Sequence, residues 1–170
     1  MVHEVAALPL TRTAFAPFGD WLGLKEDADF TINDGRCRRH HDLADLSFAA
    51  GGRAALSIFE SRPVALPYCC RYLERHPLGS QAFIPMSATP YLVIVAPDRD
   101  GVPGAPVAFI ADGTAGVNYH RGTWHGVLAP LDQPANFMVL DWVGQDKNLQ
   151  VQTLDEPVLV TTLRQAEAAS

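Results

Sequence analysis

Two stretches of this chain gather side chains able to move protons or hold a metal ion. The first runs Glu74-Arg75-His76-Pro77-Leu78-Gly79-Ser80-Gln81. Successive side chains alternate between the faces of a strand, so Glu74 and His76 share one face, with Tyr72 behind them, and Arg71 and Arg75 share the other. Pro77-Leu78-Gly79 is turn chemistry, and a hairpin there returns Gln81 to the side of His76. The second stretch is His120-Arg121-Gly122-Thr123-Trp124-His125. Imidazole titrates near neutrality and can act as general acid, general base or metal ligand. A carboxylate, two imidazoles and an amide oxygen form a reasonable ligand set for a divalent metal. Without a metal, Glu74, His76, Gln81 and His125 would make a polar pocket that hydrogen-bonds a small molecule.

The elements that must position these groups read as strands. Thirteen prolines and thirteen glycines punctuate many short apolar runs, the pattern of an all-β protein. The clearest strands are expected at 53–60, 69–76, 81–86, 91–96, 107–111, 124–129, 137–142 and 158–163. Their spacing suits an antiparallel barrel or sandwich. No segment reads as the long helix of a parallel crossover. One short N-terminal helix is expected, with Thr11 as its cap, Ala14, Phe15 and Phe18 as its apolar face and Gly19 as its end. A weaker helical pattern covers 163–169. With no linker or repeat, residues 1–170 are expected to form a single domain.

Composition narrows the function. A net charge of −6 and a pI near 5.4 argue against general nucleic-acid binding, which needs a basic face. No run approaches the roughly 20 apolar residues that span a bilayer. The N-terminus lacks the basic start and apolar core of a signal peptide, so a cytoplasmic location is expected. Cys37, Cys69 and Cys70 are odd in number and two are adjacent, which makes a poor disulfide framework. Among the thirteen Lys+Arg only Lys25 and Lys147 are lysines, so cationic recognition falls to arginine, the better partner for a carboxylate.

The second stretch resembles the second cupin motif, P-x-G-x-x-H, with His120 in place of the proline and His125 as the histidine. The first stretch resembles the first cupin motif, with Glu74 at the first histidine position, His76 at the second and Gln81 replacing the carboxylate. In a cupin barrel these four positions converge on a metal inside the barrel mouth. A closer resemblance follows. Glu74 to Met86 and Gly116 to His125 look like the signatures of the ureidoglycolate lyase family. Ile32-Asn33-Asp34-Gly35, followed by Arg39, His41, Asp42 and Leu43, is a third match, and the opening from Leu8 to Asp20 is similar too. His40 stands where a tyrosine is common, and Gly126 where a second histidine can follow His125. The resemblance spans roughly Leu8 to Val160. It implies a cupin-like antiparallel β-barrel or jelly roll, a homodimer, a role in allantoin degradation and a divalent metal, with nickel named.

The implied reaction eliminates urea from (S)-ureidoglycolate to give glyoxylate. The substrate is a carbinolamide, so its cleavage needs a base for the hydroxyl, an acid for the leaving nitrogen and a clamp for the carboxylate. Arg75, Arg39 and Arg121 are the clamp candidates. Arg75 has the best motif support, although its strand face opposes Glu74. His125 or His76 is expected to take the hydroxyl proton, and Glu74 or His120 to protonate the urea nitrogen. His41 would orient a partner or join the pocket from another strand. Gln81 would bond the ureido carbonyl or the hydroxyl, and Tyr119 and Trp124 would line the wall. The metal set, if one binds, is Glu74, His76, Gln81 and His125. Competing readings are a ureidoglycolate amidohydrolase releasing ammonia, and a non-catalytic cupin that binds a ureide or sugar.

Overall fold

The run Tyr91-Leu92-Val93-Ile94-Val95-Ala96 carries no polar face, so it must be covered on both sides. In the computed structural model, which describes residues 3–162, all six of its residues are buried. In chain order the strands are β1 (His3–Pro9), β2 (Gly19–Leu22), β3 (Phe30–Ile32), β4 (Cys37–Arg39), β5 (Gly52–Ser61), β6 (Tyr68–Arg75), β7 (Gln81–Pro85) and β8 (Tyr91–Ala96). They continue with β9 (Asp98–Arg99), β10 (Val102–Pro103), β11 (Val107–Ala111), β12 (Gly116–Tyr119), β13 (Trp124–His125), β14 (Ala129–Pro130), β15 (Ala135–Gly144) and β16 (Gln150–Thr162). One helix, α1 (Arg12–Phe15), follows β1.

Six strands close on themselves in the order β11-β1-β16-β6-β13-β8, and β8 pairs back to β11. A second sheet, β2-β12-β7-β15-β5, packs against one side of this barrel. The alternation of β8 separates two cores. Leu92, Ile94 and Ala96 join Leu73, Trp124, Val158 and Val160 inside the barrel. Tyr91, Val93 and Val95 meet Phe83, Val117, Phe137 and Val139 of the second sheet. Burying each large apolar side chain stabilises the fold by ~1.5–3 kcal/mol, so this doubly covered strand ties the two layers together.

The expected all-β, cupin-like barrel is therefore present, with three local differences. First, the pairing is not wholly antiparallel: β1 runs parallel to both β11 and β16. It slots between two strands far along the chain, so no tight hairpin dictates its direction. Second, α1 is capped by Thr11, whose Oγ1 accepts from the Ala14 amide at 3.2 Å, but it ends at Ala16 and not at Gly19. Gly19 instead opens β2, where any Cβ would overlap the Asn118 carbonyl of the adjacent β12. Third, the strand expected over 124–129 is broken into β13 and β14. His125 pairs with Val95 and Ala129 with Leu92, so four steps on one strand face three on the other. That extra residue is a bulge: Gly126 still donates to the Ile94 carbonyl at 2.8 Å, and 127–128 swing out of the ladder. The helical pattern at 163–169 lies outside the described residues.

Candidate active site

The two layers leave a cavity of about 220 Å³ between them. Its wall combines Glu74 of β6 and His125 of β13 with Phe59, Gln81, Phe83 and Tyr119 of the facing sheet, and the bulge supplies Gly126, Val127 and Leu128. The register accounts for the convergence. His125 pairs directly with Glu74 across β13 and β6, and Gln81 pairs with Tyr119 across β7 and β12. Side chains of paired residues project from the same face, so each pair enters the cavity together.

His125 is fully buried, and its ring stacks on Tyr119 at 4.3 Å with the planes 3° apart. Tyr119 is in turn braced edge-on by Phe15 of α1 at 5.9 Å and by Phe83 at 5.8 Å. The His125 Nδ1 lies 2.9 Å from the Gly126 carbonyl, and the His76 Nδ1 lies 2.7 Å from the Asn148 carbonyl. A carbonyl only accepts, so both Nδ1 atoms carry a proton, and in the neutral ring it is Nε2 that presents the lone pair. Neither Nε2, though buried, has a partner among the described residues. The rings are 5.3 Å apart, and the donor atoms of Glu74, His76 and His125 all lie within 4.8 Å of one another. Two oriented imidazole lone pairs beside a carboxylate fit a divalent cation, and the carbonyl partners are the outer support such ligands need.

The electrostatics follow from burial. Desolvation, reinforced by the neighbouring His76, holds the His125 imidazolium form down to about 3. Desolvation also raises the Glu74 carboxyl above its ordinary range, partly offset by His76. The Tyr119 phenol is pushed up by burial and by Glu74. His125 is thus a neutral acceptor near neutral pH, and Glu74 holds its proton more readily than an exposed glutamate.

Other sequence candidates lie elsewhere. Arg75 shares the Leu73 side of β6, donates to Asp98 and Gln150 at 2.7 Å each, and sits 4.5 Å over the Trp124 ring. Trp124 faces the barrel core, opposite to His125, and donates to Asp98 at 2.8 Å, so it does not line the cavity. His120 follows the inward Tyr119 and points away, with its Nε2 3.1 Å from Asp20. Arg39 and His41 contact each other at 2.9 Å on the exposed β4 segment, away from the cavity wall. Arg121 is exposed and bonds the Pro77 carbonyl through its Nε, and the next residue, Gly122, donates to the His76 carbonyl at 3.0 Å. Among the described residues, the cavity wall contains no arginine or lysine.

Sequence reasoning missed Asp141. It accepts from Gln81 Nε2 at 3.4 Å, and its Oδ1 is buried without a partner among the described residues. The signal was present: Phe137, Val139 and Asp141 share one face of β15, and the last breaks an inward apolar series. Phe59 and the bulge residues were missed for lack of any polar signature.

The site lies between the six-strand barrel and the second sheet and not inside the barrel mouth, with Glu74, Gln81 and His125 in the cavity wall and His76 next to it; two oriented imidazoles and a carboxylate on a cupin-like fold define a small-molecule site. The family model described as ureidoglycolate lyase matches residues 2–161. A protein named ureidoglycolate lyase from Rhodobacter capsulatus is 50% identical over 152 residues, covering 89% of this chain and 94% of that protein. One of the same name from Chelativorans sp. is 45% identical over 157 residues, 92% and 95% of the two chains. Another from Mesorhizobium japonicum is 45% identical over 148 residues, 86% and 91%. The chain belongs to the ureidoglycolate lyase family.

Proposed function

We propose that this pocket eliminates urea from (S)-ureidoglycolate to give glyoxylate, with the whole chain acting as one catalytic domain. The observation that carries this reading is the pair of imidazoles beside Glu74, His125 buried and His76 half-buried, each with Nδ1 tied to a backbone carbonyl and a buried Nε2 left without a partner among the described residues. His76 takes the substrate hydroxyl proton as the carbonyl forms, and the C–N bonding pair leaves with the urea nitrogen. Glu74, its carboxyl raised by burial, delivers the proton that nitrogen needs. No water is consumed. His125 stays neutral, and its Nε2 accepts from a ureido N–H to orient the leaving group. Phe59, Phe83 and Tyr119 exclude bulk water from the reacting atoms.

Arg121 is the best placed of the three arginines to grip the carboxylate, because it is bonded to the segment that carries His76. Arg75 serves instead as a strut at the barrel end, and His120 shapes the rim through Asp20. Glu74, His76 and His125 are also the residues that would hold a divalent metal, for which the family resemblance names nickel, and such an ion would supply positive charge that acidifies the substrate hydroxyl.

The deciding experiment incubates the pure protein with each enantiomer of ureidoglycolate and measures urea, ammonia and glyoxylate together. Urea and glyoxylate in equal amounts from the S form alone, above spontaneous decay, are expected. Ammonia in place of urea would make the protein an amidohydrolase, and binding without turnover would make it a ureide-binding cupin.

We also propose a homodimer. Leu56 and Ile58 of β5, Ile84 of β7, and Met138 and Leu140 of β15 align across the outer face of the second sheet, where Ile58 pairs with Met138 and Met138 with Ile84. A contiguous apolar face of this kind is uncommon on a monomer. Sedimentation of Ile58→Lys against the parent tests it, with a shift from dimer to monomer expected. Three unpaired cysteines suit a reducing cytoplasm, and no helix among the described residues is long and apolar enough to cross a membrane.

A further inference from the structure

We propose that Asp141 is a positioning residue, which holds the Gln81 amide so that its carbonyl oxygen faces the cavity as an acceptor for the N–H groups of a ureide. This deepens the lyase reading and rests on it. The antiparallel register of β15 and β7 pairs Leu140 with Ala82, so the next step sets Asp141 beside Gln81. Gln81 is only 6% exposed, and its Nε2 donates to Asp141 Oδ2 at 3.4 Å. A carboxylate accepts and does not donate, so it selects the nitrogen edge of the amide; the reversed amide would set oxygen against oxygen. Gln81 Oε1 is therefore fixed on the other side. It is buried, lacks a partner among the described residues and belongs to a residue of the cavity wall.

A buried acceptor without a donor is costly, and a ligand that brings N–H groups relieves that cost. The ureido group is such a ligand. As its nitrogen is protonated and leaves, the attached N–H bonds become stronger donors. The bond to Gln81 Oε1 then strengthens in the transition state, so its loss lowers kcat more than it raises KM. The same fixed acceptor disfavours analogues in which oxygen or carbon replaces the ureido N–H, because Oε1 is then left unpaired.

Three variants test this: Asp141→Asn, Gln81→Met, and the pair Gln81→Glu with Asp141→Asn. Each is assayed for urea release and melting temperature, and for metal content by elemental analysis. Asp141→Asn lets either edge of the amide turn inward, and a fall in kcat of about tenfold or more with little change in KM is expected. Gln81→Met removes the acceptor at similar volume and is expected to show the same loss. In the double variant the amide introduced at position 141 can donate to one oxygen of the carboxylate introduced at position 81, while the other oxygen faces the cavity. The total charge is unchanged, so most of the lost kcat should return. Parental kcat in Asp141→Asn or in Gln81→Met overturns the proposal. So does a double variant no faster than Asp141→Asn, or metal lost from Asp141→Asn in step with activity, which would make Gln81 a ligand support. A parent that releases no urea overturns the lyase reading first, and this one with it.

Discussion

Tyr119 offers a direct way to separate a ring that positions from a hydroxyl that reacts. Its ring lies flat on His125 at 4.3 Å and meets Phe15 and Phe83 edge-on at 5.9 and 5.8 Å. Aromatic pairs of this kind contribute ~0.5–1.5 kcal/mol each beyond the area they bury. Tyr119→Leu removes all three and leaves part of the ring volume empty, so a loss of roughly 2–5 kcal/mol in unfolding free energy is expected. Tyr119→Phe keeps all three and should stay within about 1 kcal/mol of the parent. Activity should divide the same way. Without the stack the His125 imidazole can tilt away from its alignment, and kcat should fall by about tenfold or more in Tyr119→Leu while Tyr119→Phe remains near the parent. Urea unfolding and initial rates of urea release read the two quantities on the same preparations. A Tyr119→Phe protein that is stable but slowed about a hundredfold would refute the reasoning, because the hydroxyl would then belong to the chemistry. A Tyr119→Leu protein with parental kcat would refute it from the other side.

Further outcomes follow from the same structure. Burial alone would raise the Asp20 carboxyl, but bonds from Asn118, the Asp45 amide and His120 bring it below its ordinary value. Its contribution to stability is therefore present above the unfolded carboxylate value and is lost as pH falls through the lower folded one, so Asp20→Asn should lose stability at neutral pH and show a flatter acid limb in pH-dependent unfolding. The Cys70 thiol is raised by burial to about 11, so native protein treated with iodoacetamide near pH 8 should label only at Cys37 and Cys69, and denatured protein at all three, as peptide mass mapping would report. If Glu74, His76 and His125 hold a metal, a chelator should remove it with loss of activity, and Glu74→Gln should lower metal content in elemental analysis; full activity in metal-free protein would leave His76 and Glu74 to work alone.

Much of the architecture was legible because strand periodicity is local. Tyr91–Ala96 and Val107–Ala111 emerged with the expected bounds, since uninterrupted apolar runs between turns leave few alternatives. The parallel placement of β1 was not legible, because which distant strands flank a segment is settled by closure of the barrel and not by its own residues. The bulge at 127–128 was equally hidden: it arises from a mismatch in count between two strands separated in sequence.

For the site, residue types and motif spacing by themselves determined that Glu74, His76, Gln81 and His125 matter and what chemistry they can do. Only the tertiary structure decided which neighbours join them. Alternation along one strand sets Arg75 and Trp124 on faces opposite to Glu74 and His125, and cross-strand register brings Asp141 to Gln81 from sixty residues away. Side-chain chemistry is a property of the chain, whereas direction, burial and partnership are properties of pairing between strands, and pairing is fixed by the packing of the whole barrel.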